Sequence, residues 1–352
     1  MRRKTKVIKI GDLKIGGGFP IAVQSMTNTK TSNVSATVKQ IKKLEKAGCE
    51  IIRVGVPDIK SAKALKQIKK KINIPLVADI HFSAVLALES IRQGVDKLRI
   101  NPGNFPKEKL KEIVKSAKKK KIPIRIGINA GSLESDILQK YHSAKAEAMV
   151  ESALRHIKLM EELGFYDLVI SLKASDVLRT IKAYELISKK VDYPLHLGVT
   201  EAGGKFSGTI KSAIAIGHLL LKGIGDTIRV SLSGDPLEEV KVAWEILKSL
   251  ELRERGAKII SCPTCARSEI DVAGIEKKLR KILENIEKPL TIAVMGCIVN
   301  GLGEAREADL GIVGIQNAVL IIKKGEIIKK VKKKDALKEF KKELKVLISK
   351  KP

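Results

Sequence analysis

The sequence predicts a TIM (β/α)8 barrel followed by a smaller α/β domain. A unit made of a short β-branched apolar run, a polar loop and an amphipathic helix recurs eight times before Leu250. Strands alternating with helices imply a parallel sheet, and eight such units in about 250 residues match a closed barrel. An open doubly wound sheet is the structural alternative. The composition then changes: Glu251 to Ala257 reads as a polar linker, which divides the chain into a barrel over 1–250 and a second domain over 258–352.

The barrel strands are expected near Ile21–Met26, Ile51–Val54, Leu76–Asp79, Lys97–Ile100, Ile124–Ile128, Leu168–Ser171, Leu195–Val199 and Thr227–Val230. After the first, Val34, Val38, Ile41 and Leu44 line one helical face and Gly48 closes the helix. Pro75, Pro123 and Pro194 precede strands, where a missing N–H costs little. The fifth unit carries an insertion, Ser132 to Ser143, before its helix. In the second domain, strands are expected near Lys258–Ser261, Leu290–Met295 and Ala318–Ile322, with a hairpin turn at Lys323-Lys324-Gly325-Glu326 and a helix from Ala336 to Ser349.

Lysine and arginine total 68 against 39 acids, a net charge of +29. Such an excess raises nucleic acid as a partner, but only 3% of residues are aromatic, and single-strand binders use stacking platforms. Lys39, Lys42, Lys43 and Lys46 fall at solvent-facing helical positions, so the charge reads as solvated helix faces that also draw in small anions. No nucleic-acid partner is expected. No apolar run reaches the roughly 18–20 residues of a membrane span, and the basic start leads into Ile10-Gly11-Asp12 rather than a signal-peptide core. A soluble, cytoplasmic protein is expected.

Side chains at the C-terminal ends of barrel strands converge on one mouth. Read off in order, these are Gln24 and Ser25; Arg53; Asp79 and His81; Arg99 and Asn101; Arg125 and Asn129; Lys173; Thr200 and Glu201; and Arg229, Ser231 and Ser233. Four arginines and a lysine facing one cavity repel each other unless a polyanion joins them. Arginine's planar fork suits phosphate oxygens, so the expected ligand carries phosphate or diphosphate. Asp79 and Glu201 are the evident counterions, and with His81 they are the acid/base candidates. His142, His156, His196 and His218 lack such company and are expected to be structural.

Four cysteines are too few for a disulfide scaffold in a chain of 352 residues. Cys262-Pro-Thr-Cys265 and Cys297, the latter expected in a glycine-flanked loop, form a group suited to zinc or to an iron–sulfur cluster. A second Cys-x-x-Cys, as zinc ribbons carry, is missing. Cys49, between a helix and a strand of the barrel, reads as an inert core residue. Glu304, seven residues after Cys297, is the nearest oxygen donor for a fourth position, and a hard carboxylate on a soft cluster would be labile.

Taken together, Val23-Gln24-Ser25-Met26-Thr27-Asn28-Thr29, Ala78-Asp79-Ile80-His81-Phe82, Arg99-Ile100-Asn101-Pro102-Gly103-Asn104, Gly198-Val199-Thr200-Glu201-Ala202-Gly203, Ser261-Cys262-Pro263-Thr264-Cys265 and Gly296-Cys297-Ile298-Val299-Asn300-Gly301 resemble the bacterial two-domain 4-hydroxy-3-methylbut-2-enyl diphosphate synthases of the methylerythritol phosphate route to isoprenoids. The resemblance runs from about Ile21 to Gly314. It implies a 4Fe–4S cluster on Cys262, Cys265, Cys297 and Glu304, and a two-electron ring opening of 2-C-methyl-D-erythritol 2,4-cyclodiphosphate with loss of water. Reduced flavodoxin or ferredoxin is the implied donor. The substrate would be held by the arginines with Asp79, His81, Asn101, Asn129, Lys173, Thr200 and Ser231, and Glu201 would deliver the proton. One departure stands out: Asn300-Gly301-Leu302-Gly303-Glu304 has leucine where the family usually has proline. Because the last barrel helix should run away from the mouth, a head-to-tail homodimer is expected, each cluster domain capping its partner's barrel. Two rival readings are a non-redox TIM-barrel transferase resembling pteroate synthases with a structural zinc domain, and a basic zinc-ribbon nucleic-acid binder.

Overall fold

The computed structural model describes residues 2–284 and 286–349; Met1, Asn285 and residues 350–352 lie outside the described residues. The chain separates into two compact units, divided after Arg253. Among the described residues, no helix is long and apolar enough to cross a membrane.

The first unit opens with a hairpin, β1 (Ile8–Ile10) and β2 (Leu13–Ile15), which the sequence reading did not foresee. Eight parallel strands follow: β3 (Ala22–Met26), β4 (Ile51–Gly55), β5 (Leu76–Asp79), β6 (Lys97–Ile100), β7 (Ile124–Asn129), β8 (Leu168–Lys173), β9 (His196–Leu197) and β10 (Thr227–Ile228). Their order is β8-β7-β6-β5-β4-β3-β10-β9, and a parallel bridge from Ile170 to Leu195 closes β9 onto β8. The TIM barrel is therefore present. Its seventh and eighth strands are only two residues long, against the five and four expected. The ladder stops at Gly198, where the chains run too close for regular pairing: a Cβ there would lie 2.4 Å from the Arg229 carbonyl oxygen and 2.7 Å from Lys173 Nζ.

Period-two alternation divides each strand. Val23, Ile52, Val54, Ala78, Leu98, Ile100, Ile126, Ile170 and Ile228 belong to the core between sheet and helices. The opposite positions face the lumen. At its lower end Ala22, Ile51, Val77 and Val169 pack against Ile8, Ile10 and Ile15, so the hairpin plugs the barrel floor. Helices begin at the mouth because polar caps start them: Asn33, Asp58, Ser83 and Asp176 each accept from the amide three residues on. The insertion after β7 holds a helix of its own, Ser135–Tyr141. After the helix Pro236–Ser249, Arg253 donates 2.8 Å to the Ile21 carbonyl and pairs with Glu50 at 2.6 Å. Both partners precede strands, so the chain leaves this unit at the end opposite the mouth.

The second unit is a five-stranded sheet, β11 (Ala257–Ser261), β12 (Leu290–Met295), β13 (Leu310–Ile315), β14 (Ala318–Lys323) and β15 (Glu326–Val331), in sequence order. The first three strands are parallel and the last three antiparallel. The hairpin turns on Lys324 (φ 48°) and Gly325 (φ 86°). Helices Val272–Leu283 and Ala336–Ser349 cover one face through Leu279, Leu283, Phe340 and Leu344. Helix Ile298–Arg306 covers the other through Leu302 and Ala305. That last helix corrects the expected loop after Cys297. A leucine amide at 302 can continue a helix that a proline could not, and Gly301 lets it lie close to β13, since a Cβ there would meet Val313 at 2.7 Å.

Candidate active site

Lumen-facing positions of the barrel carry cations where a TIM barrel usually carries Val, Ile and Leu layers. Arg53, Lys97, Arg99, Arg125, Lys173 and Arg229 all occupy them, and Arg99, Arg125 and Lys173 are no more than 5% exposed. Asp79 is the hub near the mouth. Its carboxylate lies 3.3 Å from Arg99 Nη1, 3.4 Å from His81 Nε2 and 3.8 Å from Arg53 Nη2. Burial alone would raise this carboxyl; Arg53, His81 and Arg99 outweigh it and hold it well below the usual range. His81 is half exposed at the rim, and Asn104 Nδ2 donates to its carbonyl at 3.0 Å.

Across the lumen, Lys173 Nζ stands 3.3 Å from His196 Nε2, whose Nδ1 is 2.8 Å from Thr227 Oγ1. Burial, Arg229 and Arg125 push the Lys173 amine well down; burial and Lys173 do the same to the His196 imidazolium. His196 thus belongs to the site, against the expectation that it stands apart: its parity on β9 points it at Lys173. His156, by contrast, pairs with Glu134 at 2.8 Å, and His218 with Glu185 at 3.2 Å, both outside the lumen. Arg125 donates through Nη1 to Ser171 Oγ. Its Nε and Nη2, with Arg99 Nε, Arg229 Nε and Gln24 Nε2, are buried donors that meet no acceptor among the described residues. Burial pulls Arg229 down to about 10, with Arg53 adding to the effect.

The smaller polar residues ring this cup. Asn101 caps its own turn, accepting from Gly103 N at 3.3 Å. Asn129 ends β7, and Thr200 and Ser231 are half-buried past β9 and β10. Glu201 is exposed and adopts a left-handed backbone (φ 49°), uncommon for a residue with a Cβ. Thr200 Oγ1 donates to its carboxylate at 3.4 Å, and the neighbouring Gly203 carbonyl accepts from Ser233 N at 2.9 Å, tying two mouth loops together. One lumen residue, Lys97, and one buried carboxylate behind the sheet, Glu239, escaped the sequence reading. Lys97 sits two positions before Arg99, so strand parity was the available signal. Glu239, on the following helix, accepts from Ser25 Oγ (3.1 Å) and Leu232 N (3.0 Å), and no strand pattern announces it.

In the second unit, Cys262 and Cys297 follow the ends of adjacent parallel strands β11 and β12. Gly296 N donates to Cys262 Sγ at 3.0 Å, and Cys297 stands at the N-cap position of helix Ile298–Arg306. Cys265 and Glu304 are exposed. Glu304 lies two helical turns from Cys297, on the same face. Among the described residues, no three His, Cys, Asp or Glu stand close enough to hold a metal ion. Three thiols and a carboxylate are donors whose chemistry suits an iron–sulfur centre, though the structure does not bring them together. Cys49 is buried, its thiol pushed up to about 12 by burial, as an inert core residue should be.

Fold and site define a TIM-barrel enzyme for a phosphorylated anion, with a thiol-bearing domain appended. Comparison with known proteins narrows this class: the GcpE TIM-barrel domain matches residues 5–244 and the GcpE protein C-terminal domain matches residues 258–346. The chain belongs to the GcpE family. It is 59% identical over 349 residues to the 4-hydroxy-3-methylbut-2-en-1-yl diphosphate synthase (flavodoxin) of Caldanaerobacter subterraneus subsp. tengcongensis, covering 99% of this chain and 98% of that one. It is 56% identical over 343 residues to the protein of the same name from Fusobacterium nucleatum, covering 97% of each. Among solved structures, dihydropteroate synthase from Stenotrophomonas maltophilia superposes with a TM-score of 0.51 at 14% identity, covering 70% of this chain and 98% of that one. That likeness is one of fold alone, and it lends the pteroate-synthase alternative no chemistry.

Proposed function

We propose that the chain is a flavodoxin-dependent 4-hydroxy-3-methylbut-2-enyl diphosphate synthase. It adds two electrons and two protons to 2-C-methyl-D-erythritol 2,4-cyclodiphosphate, opening the ring and releasing water. The observation that carries this reading is the lumen, where six cationic side chains gather around the Asp79 carboxylate and leave buried N–H donors without acceptors among the described residues. A diphosphate supplies acceptors for those near the mouth. Arg53, Arg99, Arg125, Arg229 and Lys173 bind its oxygens; Asp79 keeps Arg53 and Arg99 apart and aimed. His81, Asn101, Asn129, Thr200 and Ser231 position the rest of the substrate. Glu201, at the mouth on a constrained backbone, hands a proton to the leaving oxygen.

Cys262, Cys265, Cys297 and Glu304 would hold a 4Fe–4S cluster. Such a cluster supplies electrons singly from reduced flavodoxin or ferredoxin. Reduced thiols suit a cytoplasmic setting. Because the chain leaves the barrel at the end opposite the mouth, a head-to-tail homodimer is the arrangement that brings a cluster domain to each mouth; full turnover by a strictly monomeric species would exclude it. The central test is anaerobic reconstitution with iron and sulfide, followed by reaction with the cyclodiphosphate and reduced flavodoxin. Formation of the linear diphosphate, seen by mass spectrometry, is expected. Stoichiometric zinc without sulfide, or no product from a protein loaded with cluster, would overturn the reading.

A further inference from the structure

Below Asp79 and Arg99 the lumen stays polar. Lys97, at the start of β6, is fully enclosed, and its Nζ has one polar neighbour, Gln24 Oε1 at 3.4 Å. That contact crosses the lumen, since β3 and β6 are not neighbours in the sheet. Gln24 itself is 1% exposed and its Nε2 meets no acceptor; Arg125 has Nε and Nη2 in the same condition. Arg125 and Arg53 are the charges acting most strongly on Lys97. Every unmet group here is a donor. Asp79 does not serve them, being engaged by Arg53, Arg99 and His81, and Glu239 stands behind the sheet with Ser25 and Leu232. Six cationic side chains thus share the lumen with one identified carboxylate. The phosphoryl groups of a cyclic diphosphate are the natural partners of the arginine forks nearer the mouth.

We propose that Lys97, Gln24 and Arg125 form a second, inner anion site for one small monovalent anion, chloride being the obvious occupant, beneath the diphosphate. A spherical halide accepts N–H donors from several directions and needs no donor of its own. An ion carrying more oxygens would have to shed more water to reach these enclosed donors. The inference rests on the lumen alone and does not depend on which organic diphosphate occupies the mouth.

The test uses the full chain at constant ionic strength, exchanging sodium gluconate for sodium bromide while inorganic pyrophosphate saturates the mouth. A ligand bound only by the native state raises Tm saturably, so a bromide-dependent rise that survives pyrophosphate is expected. Crystals grown with bromide should show an anomalous peak between Lys97, Gln24 and Arg125. Lys97→Met removes an amine with no ion-pair partner, so it should lose no stability in gluconate, and its half-saturating bromide concentration should rise at least tenfold. The site is disproved by a halide response that pyrophosphate abolishes, by one unchanged in Lys97→Met, or by a bromide peak confined to the mouth. Should Lys97→Met fail to fold, the wild-type anomalous map and the bromide response of Gln24→Leu decide. Failure here leaves the diphosphate reading intact, because that reading is scored by product formation.

Discussion

In the barrel, the charged side chains stand on strands and are enclosed before any ligand arrives: Arg99 is 5% exposed and Arg125 2%. In the second unit, Cys262 and Cys297 stand just past strand ends, while Cys265 and Glu304 sit in solvent. The barrel binds by preorganisation, at the cost of holding like charges together in the free protein. The second unit defers its organisation to whatever its thiols bind, because metal binding and folding of the ligand loop are coupled. One region should therefore lose function without losing stability when a ligand residue is removed, and the other should lose its guest altogether.

The largest expected effect falls on the deferred region. Cys297→Ser should lower bound iron and sulfide after anaerobic reconstitution at least about tenfold and abolish turnover, since thiolate ligation is the principal source of affinity there. Full iron retention, measured by metal and sulfide analysis, would mean that Cys297 is only a helix cap. Glu201→Gln should come next. Removing an acid that protonates a leaving group costs about 10²–10⁴ in kcat, while KM should stay within a few-fold because the exposed Glu201 holds none of the arginines. Steady-state kinetics with reduced flavodoxin separate the two parameters, and a rise in KM alone would reassign Glu201 to binding.

Arg125→Met sharpens the comparison from the barrel side. Losing one charge-assisted donor pair should weaken inorganic pyrophosphate binding about 100-fold, from roughly 1.5–3 kcal/mol per charged hydrogen bond. Tm should hold or rise, since a buried cation crowded by Arg53 and Arg99 is removed. Calorimetry and thermal unfolding read the two effects. A drop in Tm with unchanged affinity would make the cation structural and erase the difference between the two regions.

Much of the barrel was legible because its strands obey period two. Once Arg53, Arg99, Arg125 and Lys173 were placed near strand ends, parity turned them inward together. Legibility failed where pairing was short or where the signal lay off the strands. Gly198 cut β9 to two residues, which hid that His196 faces Lys173. Glu239 reaches Ser25 from a helix, and helical spacing does not announce a buried carboxylate. In the second unit, Gly296 and Gly301 flanking Cys297 suggested a loop, yet Leu302 and Ala305 pack as a helix against the sheet. Tertiary packing overrode local propensity there. The hairpin β1–β2 escaped because three-residue strands carry too little alternation to be read.

The smallest effect separates Asp79 inside the barrel from Glu239 behind its sheet. Asp79 is held below its ordinary range by Arg53, His81 and Arg99, so its contribution is complete above the unfolded value near 4 and is lost as pH falls below it. Glu239 is shifted the other way, because burial raises it against the pull of Arg229. The native state then binds its proton more tightly than the unfolded chain does. Stability accordingly falls as pH rises from about 4 through the raised folded value. Glu239→Gln keeps an oxygen for Leu232 N and Ser25 Oγ while removing the titration, so the protein should become less pH-dependent above pH 4 and change by no more than about 1 kcal/mol at pH 7. Denaturant unfolding of wild type and variant between pH 4 and 8 reads this directly. If the two curves run parallel, Glu239 is ionised at no cost in the folded state. Arg229 would then be its counterion.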